Sequence, residues 1–225
     1  KGGQREILSP IFNLKKVQSK LASTLKHYYT PKLVAHGFID NKSILSNAYK
    51  HVRKNYVINL DLKDFFPSIN FGRVYGLFQS KPFDFNKEVS TILAQICCHQ
   101  SKLPQGAPTS PILSNMICLK LDKNLMNYAK ENFITYTRYA DDLTFSTNKS
   151  KLPDDLIVSV QKIIKMQGFE LNESKTRIQT RVMRQEVTGI TVNEKININR
   201  RFIRNIRAML HSWEAEGYKN ASIKF

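Results

Sequence analysis

Alternating apolar and polar residues predict a β-hairpin in the middle of the chain. Aromatic and β-branched residues alternate with polar ones across residues 133–147 (FITYTRYADDLTFST), a pattern typical of strands. The alternation breaks at Asp141 and Asp142 and resumes with Leu143 and Phe145. The pattern therefore predicts two strands joined by a tight turn that carries two adjacent carboxylates. Aspartate is also an ordinary residue of surface turns, but these apolar flanks indicate packing against a larger body.

A second, buried strand is predicted within residues 56–67 (YVINLDLKDFFP), and its end places Asp61 among aliphatic residues. An unpaired buried carboxylate is costly, so Asp61 needs a cation, as does the acidic hairpin. As antiparallel neighbours in one sheet, the two elements would bring Asp61 within a few ångströms of Asp141 and Asp142. The structural alternative is that Asp61 caps a helix, and Asp64 beside it also fits a structural role.

Apolar residues at helical spacing predict most of the other elements. The predicted helices cover residues 11–28, 83–99, about 111–125, 154–166 and 199–213. The helix at 83–99 has an apolar series for its core face, namely Val89, Ile92, Leu93, Ile96 and Cys97. Residues 168–172 are predicted as a turn and short strand, and residues 187–192 (VTGITV) as one strand kinked at Gly189.

Composition indicates a folded protein with a polyanionic partner. The 225 residues are 41% hydrophobic and 10% aromatic, which suits one sizeable core or two small lobes. Lysine and arginine number 35 against 18 acidic residues, and the net charge of +17 favours nucleic acid as the partner. An anionic membrane surface is the rival, but membrane anchors concentrate basic charge in one segment, whereas here it runs along the whole chain.

Cysteine usage and hydropathy predict a cytoplasmic protein without a membrane partner. Cys97, Cys98 and Cys118 do not suffice for a disulfide framework, and no apolar run is long enough to cross a bilayer. Cys97 and Cys98 precede His99, but a structural zinc site needs four ligands, so burial in a helix is the better interpretation. Because the chain begins at Lys1 and ends just after a helical pattern, we expect a fragment of a longer protein.

Three carboxylates from two strands suit two-metal phosphoryl transfer. Asp61, Asp141 and Asp142 would hold two divalent ions, of which one lowers the pKa of an attacking hydroxyl and the other stabilises the leaving pyrophosphate. Mg²⁺ fits this chemistry because it is usually held by few carboxylates together with substrate phosphates.

Other positions are candidates for contacting a nucleotide. Lys1 and Arg5 flank glycines whose backbone amides suit phosphates, although such a segment is also an ordinary solvated loop. Gln105 lies in the proline-rich loop 103–111 at a helix start, where it would lie under a base and sugar or simply lead into the helix. Lys175 would protonate departing pyrophosphate or merely neutralise it, and the ordinary alternative is a solvated lysine.

Two segments are candidates for contacting RNA. Asn47 and His51 are four residues apart and share a helix face, from which they would bind one ribose or phosphate. The equal alternative is a capping asparagine and an ordinary histidine. Arg200, Arg204 and Arg207 lie opposite the apolar side of the predicted helix 199–213, where they would follow a phosphate backbone or form a solvated basic face.

Three blocks resemble those of reverse transcriptases and occur in the same order. They are residues 59–66 (NLDLKDFF), 103–111 (LPQGAPTSP) and 139–142 (YADD). The chain resembles bacterial retron reverse transcriptases in particular, because residues 47–51 (NAYKH) and 187–189 (VTG) are similar to two retron blocks. The resemblance covers nearly the whole chain.

The resemblance implies an α+β right-hand polymerase fold, with an antiparallel palm sheet flanked by helices. Fingers would cover residues 1–56, palm 57–79 and 105–193, a helical fingers/palm insertion 80–104, and the start of a helical thumb 194–225. Asp61 and Asp141 would ligate both Mg²⁺ ions, with Asp142 beside them. Phe66 would be the steric gate against a ribonucleotide 2′-hydroxyl, and Gln105 would lie by the incoming nucleotide. Lys1 and Arg5 would grip the triphosphate, and residues 187–189 would fall at the primer grip.

The implied activity is RNA-directed DNA synthesis from deoxynucleoside triphosphates. A retron enzyme would bind a cognate structured non-coding RNA, prime from an internal 2′-hydroxyl and make RNA-linked DNA (msDNA). Such systems commonly serve in phage defence with an effector protein. Two alternatives remain, namely another bacterial lineage of the group II intron or diversity-generating type, and a catalytically silent RNA-binding protein on the same fold. The filled acidic positions disfavour the silent protein, and the retron blocks disfavour the other lineages.

Overall fold

A four-stranded antiparallel sheet lies at the centre of the fold and positions the acidic residues. The computed structural model describes residues 7–224, except for the side chains of residues 219–221, 223 and 224. The strands are β1 (Tyr56–Asp61), β2 (Thr135–Tyr139), β3 (Asp142–Thr147) and β4 (Arg177–Thr180), in the spatial order β2-β3-β1-β4. The predicted hairpin is confirmed as β2 and β3, which pair directly. Its neighbour is the predicted second strand, β1.

Helices make up most of the rest of the described chain. They are α1 (Phe12–His27), α2 (Ile44–Tyr49), α3 (Phe65–Ser68), α4 (Phe71–Gln79), α5 (Lys87–Cys97), α6 (Ser110–Ile117), α7 (Leu119–Glu131), α8 (Leu156–Met166) and α9 (Arg200–Lys224). A 3₁₀ turn covers Glu173–Lys175, and two short strands, β5 (Glu186–Val187) and β6 (Ile190–Thr191), form a separate hairpin. Within the described residues, no helix has the length and apolar character needed to cross a membrane.

The main core fills the space between the sheet and most of these helices. Its fully buried members include Ile58 and Leu60 of β1, Phe145 of β3, and Leu121, Leu125, Val160 and Ile164 of α7 and α8. A second, smaller core joins α2 to the β5–β6 hairpin and β1, and consists of Ala48, Val57, Val187, Ile190 and Val192. The sheet is therefore covered on both faces, which explains why even polar positions of β3 such as Thr144 and Ser146 are buried.

The helix predicted at residues 83–99 is shorter, and its core face was wrongly assigned in part. It begins at Lys87 because the Asn86 side chain caps it by accepting a hydrogen bond from the Val89 amide. Its buried face is formed by small residues, Ser90, Ala94 and Cys97. Val89 and Ile92, which the apolar series placed in the core, are 40% and 56% exposed.

Residues 187–192 do not form the single kinked strand that the sequence predicted. Thr188 (φ 47°) and Gly189 (φ 79°) both adopt left-handed backbone conformations, so the chain reverses there and β5 pairs with β6. Strand β4 was missed because its four residues (RIQT) are short and largely polar. Residues 168–172 contribute only an isolated bridge, between Leu171 and Leu62.

The predicted last helix continues as α9 beyond residue 213. Gly217 interrupts its helical backbone with φ 78° and ψ 161°. The apolar side of α9 is exposed, with Phe202, Met209 and Trp213 all about half accessible to solvent.

All three cysteines are free thiols. Cys97 and Cys118 are buried, and Cys98 is half-buried. Burial raises the pKa of the Cys97 thiol to about 12 and the pKa values of Cys98 and Cys118 to about 11.

Candidate active site

Strand pairing brings the acidic residues together at one end of the central strands β1 and β3. The antiparallel register of β1 and β3 places Asp61 directly opposite Asp142. Asp141 occupies the turn before β3, and its backbone carbonyl accepts a hydrogen bond of 3.0 Å from the Leu62 amide. The preceding residue, Ala140, has φ 55°, a left-handed conformation that alanine rarely adopts. The end of β1 and the hairpin turn are thus joined backbone to backbone.

These carboxylates line a cavity together with other residues that the sequence singled out. The cavity has a volume of about 380 Å³, and its lining includes Asp61, Asp141, Phe66, Gln105 and Lys175. Asp142 lies in an adjoining cavity of about 290 Å³, which is lined also by Asp61, Asp141, Lys175 and Arg177. Segments far apart in the sequence therefore converge on one acidic cleft.

The cation that Asp61 requires is supplied by a side chain. Lys175 Nζ lies 3.0 Å from each carboxylate oxygen of Asp61, whose side chain is 11% exposed. Asn172 Nδ2 donates a further, longer hydrogen bond of 3.3 Å to Asp61 Oδ1. Sequence reasoning missed Asn172, although its place three residues before Lys175 was a usable signal.

The pKa of Asp142 is raised in this site. Burial, and then the nearby charges of Asp141 and Asp61, raise its pKa to about 6, while the charges of Lys175 and Arg177 act in the opposite direction. The cleft thus concentrates more negative charge than its lysine and arginine offset. A bound divalent cation would relieve this repulsion.

The carboxylates of this site suit a metal ion that is held by the protein and the substrate together. Within residues 7–224, no three aspartate, glutamate, histidine or cysteine side chains form a ready-made metal site. Mg²⁺ commonly takes one or two protein carboxylates and completes its shell with substrate phosphates and water. The acidic cleft formed by Asp61, Asp141 and Asp142 matches that mode, provided that Lys175 yields its place on Asp61.

Phe66 and Gln105 also line the cavity. The half-buried Phe66 ring packs against Phe65 and Phe38, with ring centroids 5.2 and 6.0 Å apart. The Gln105 carbonyl accepts a hydrogen bond of 2.8 Å from the Leu8 amide. Gly106 (φ 116°) lies so close to this segment that a Cβ atom would be 2.8 Å from the Leu8 carbonyl oxygen. Residues 7 and 8 therefore hold the proline-rich loop in place, and only glycine fits at position 106.

The structure corrects the prediction that Asn47 and His51 contact RNA. Both side chains are fully buried. His51 Nδ1 lies 2.7 Å from Ser146 Oγ, and His51 Nε2 lies 2.7 Å from Thr137 Oγ1. The β2–β3 hairpin presents buried hydroxyls to the segment after α2, and His51 pairs with two of them, whereas the Asn47 amide is buried without a hydrogen-bond partner among the described residues. The shared face of Asn47 and His51 therefore points into the protein.

Acidification should destabilise the protein through His51. Burial, and then the charges of Lys54 and His36, lower its pKa from 6.5 to about 3. Because the unfolded chain takes up this proton near pH 6.5, the stability is present above that pH and is lost as the pH falls toward 3. Between pH 7 and pH 5 we expect a loss of about 2 kcal/mol from this residue.

Urea unfolding at pH 7 and pH 5 measures this loss. The wild type should lose more stability on acidification than His51→Gln does. His211→Gln, on the exposed α9, is the matched control. Equal pH dependence in the wild type and His51→Gln would contradict the assignment.

The basic residues of α9 lie outside this cleft. Arg200, Arg204 and Arg207 are exposed on α9 and do not line the cavity, so their contact with a phosphate backbone stays a prediction. Lys1 and Arg5 lie outside the described residues.

Comparison with known proteins gives a consistent result. Residues 1–212 match the family described as reverse transcriptase (RNA-dependent DNA polymerase). The chain is 38% identical over 208 residues to the retron Ec86 reverse transcriptase of Escherichia coli, covering 92% of this chain and 64% of that protein. It is 37% identical to the retron Mx162 reverse transcriptase of Myxococcus xanthus (94% and 50% covered). It is 30% identical to the E. coli retron Ec83 reverse transcriptase (98% and 75% covered).

The chain spans between half and two thirds of the length of the first two of these relatives. Among solved structures, it is similar to telomerase from Candida albicans in complex with a fragment of telomeric RNA. The TM-score is 0.54 at 12% identity, with 83% of this chain and 38% of that chain covered. Apo telomerase from Candida tropicalis gives a TM-score of 0.52 at 12% identity, with 85% and 41% covered. At this identity the likeness concerns the fold alone, and it confirms the predicted polymerase fold.

Proposed function

We propose that this chain, which belongs to the reverse transcriptase family and is of its retron type, carries the active site of an RNA-directed DNA polymerase. Its substrates would be an RNA template, a primer hydroxyl and deoxynucleoside triphosphates. The oxygen of the primer hydroxyl attacks the α-phosphate, the bond to the β-phosphate breaks, and pyrophosphate leaves. The convergence of Asp61, Asp141, Phe66, Gln105 and Lys175 on one cavity is the observation that supports this proposal.

Each cavity residue has a role in this proposal. Asp61 and Asp141, with Asp142 beside them, would hold two Mg²⁺ ions, which supply activation of the hydroxyl and stabilisation of the leaving group when bound. Lys175, already against Asp61, would neutralise the pyrophosphate and give it a proton. Gln105 would lie by the incoming nucleotide. Lys1 and Arg5 would grip the triphosphate, and Arg200, Arg204 and Arg207 would follow the RNA backbone.

The predicted division of the chain is also part of the proposal. Fingers would cover residues 1–56, palm 57–79 and 105–193, the helical insertion 80–104, and the start of the thumb 194–225. The central sheet and both cavities then fall in the palm. We further propose that the enzyme is located in the cytoplasm.

The retron type indicates a more specific function than RNA-directed DNA synthesis in general. We propose that the protein copies a cognate structured RNA into RNA-linked DNA and acts in phage defence with an effector protein. The names of the relatives support the retron assignment over group II intron or diversity-generating enzymes. The packing of the two retron-like blocks on each other supports it as well. Ala48 and Val187, one from each block, share the small second core.

The decisive experiment examines nucleic acid that co-purifies with the full-length protein from its native host. The extracted material is run on a denaturing gel before and after RNase and debranching treatment. A discrete DNA band that shifts with RNase and shortens on debranching is the expected result. Mg²⁺-dependent extension of a generic primed template without any RNA–DNA species would instead indicate another lineage. The absence of both products would indicate a silent RNA-binding protein.

Replacing Phe66 by valine should weaken discrimination against ribonucleotides. The ring lines the cavity, and its removal leaves room for a 2′-hydroxyl. Since one steric contact of this kind is worth about 1–3 kcal/mol, we expect ribonucleotide use relative to deoxynucleotide use to rise roughly 10- to 200-fold. Single-nucleotide incorporation kinetics with matched dNTP and rNTP give the ratio. Phe85→Val, a partly exposed ring that does not line the cavity, should leave the ratio unchanged.

A further inference from the structure

Behind the acidic turn lies a guanidinium that is completely removed from solvent. The side chains of Arg138 and Asp122 are both 0% exposed. Arg138 Nε and Nη2 donate hydrogen bonds of 2.8 and 2.7 Å to the two carboxylate oxygens of Asp122. Such a buried ion pair often stabilises a protein no more than apolar side chains of the same volume would. The contribution of this ion pair to the stability of the protein therefore does not by itself explain why an arginine occupies this position.

The remaining donor of Arg138 contacts the turn itself. Arg138 Nη1 donates one hydrogen bond of 3.1 Å to Asn115 Oδ1 and another of 3.2 Å to the backbone carbonyl of Ala140. Ala140 immediately precedes Asp141 and has a left-handed backbone. On the other side, the Asp141 carbonyl is held by the Leu62 amide. The two carbonyls that bracket Asp141 are thus fixed from two directions.

Gly37 packs against the same turn that carries Asp141. Asn115 Nδ2 donates a hydrogen bond of 3.0 Å to the Gly37 carbonyl. A Cβ atom on Gly37 would lie only 2.4 Å from the Ala140 nitrogen. The segment around Gly37 is also hydrogen-bonded to β2, through the His36 amide and the Arg138 carbonyl at 2.8 Å. The turn therefore rests directly on the backbone of residue 37.

We propose that Arg138 is a positioning residue that fixes the turn carrying Asp141, acting through Asp122, Asn115 and the Ala140 carbonyl. The inference rests on the proposed polymerase function for its consequence in catalysis. An arginine suits this task because its planar fork directs several donors at once, whereas lysine has a single ammonium group on a flexible stem. Lysine at position 138 would keep the charge opposite Asp122 but release Ala140.

The test compares three variants of the full-length protein. Arg138→Lys keeps the charge and loses the fork. Gly37→Ala keeps the ion pair and pushes a methyl group against the turn. Tyr136→Phe is the matched control, because it removes the hydrogen bond of 3.0 Å from the Tyr136 hydroxyl to Asp122 but leaves every bond of the guanidinium.

Single-nucleotide extension on a primed RNA template gives kcat and KM for the nucleotide. Since a displacement of about 1 Å in an active site costs roughly 100-fold in rate, we expect kcat of Arg138→Lys to fall by about that factor. KM should change little, and Gly37→Ala should behave similarly. Tyr136→Phe should lose stability in urea unfolding but keep its kcat. Loss of kcat in all three variants in proportion to lost stability would overturn the proposal.

A second readout does not depend on polymerase activity. Titration with Mn²⁺ alone, followed by water-proton relaxation, reports the acidic cleft directly. Arg138→Lys and Gly37→Ala should both bind Mn²⁺ more weakly than the wild type, and Tyr136→Phe should not. If Arg138→Lys does not fold, Gly37→Ala decides the question. Unchanged Mn²⁺ affinity in that variant overturns the positioning role, whereas a wild type that binds Mn²⁺ but never extends a primer overturns the proposed function instead.

Discussion

Replacing Asp141 by asparagine should abolish DNA synthesis while leaving RNA binding largely intact. The substitution removes a negative charge from the cleft shared with Asp61 and Asp142 but hardly alters side-chain volume. The backbone hydrogen bond from Leu62 to residue 141 is retained because it does not involve the side chain. Metal-based stabilisation of the transition state is worth several kcal/mol, so we expect a loss of roughly a thousandfold or more.

Primer extension and filter binding to RNA measure these two properties separately. Asp40→Asn is a matched control, because Asp40 is an exposed carboxylate paired with Lys26 and does not line the cavity. It should extend primers like the wild type. Retained synthesis in Asp141→Asn would contradict the assignment of this residue to metal binding. Loss of RNA binding together with synthesis would instead indicate damage to the fold.

Of the substitutions described, Asp122→Asn should lower the free energy of unfolding the most. The carboxylate is the counter-ion of Arg138, and both side chains are fully buried. Its neutralisation leaves a guanidinium charge without compensation in the interior, which typically costs about 3–5 kcal/mol. This is a large share of the roughly 5–15 kcal/mol by which a domain is stable. Urea unfolding at pH 7 measures the change.

An exposed ion pair provides the comparison. Lys151 and Asp154 lie 2.9 Å apart, but their side chains are 76% and 83% exposed. Asp154→Asn should therefore change the free energy of unfolding by no more than about 1 kcal/mol. A similarly small change in Asp122→Asn would mean that the inner pair contributes no more than a surface pair does.

The acidic cleft was accessible to sequence reasoning because its strands carry strong local patterns. The alternation across residues 133–147 located the hairpin, and the break at Asp141 located its turn. One step of topology, antiparallel pairing, then sufficed to set Asp61 beside Asp142. Phe66 was found through the family resemblance, whereas Gln105 was a candidate from its place in the proline-rich loop before a helix start.

Features that depend on distant partners were not predictable in this way. The spacing of Asn47 and His51 showed that they share a face but not that Ser146 and Thr137 lie opposite it. Burial direction is decided by tertiary packing, which one segment does not reveal. The pairing of Arg138 with Asp122 was missed for the same reason, since periodicity assigns an arginine in a strand to no particular partner.

The cysteines have a practical consequence for measuring movements of this protein. Thiol-reactive dyes attack the thiolate, and the shielded native sulfurs are rarely in that form at neutral pH. A single cysteine introduced on the surface should therefore react far ahead of Cys97 and Cys118. Once the half-buried Cys98 has been replaced, fluorophores can be attached at chosen points with Cys97 and Cys118 left in place, and distances between them can be followed in single molecules while nucleic acid is bound.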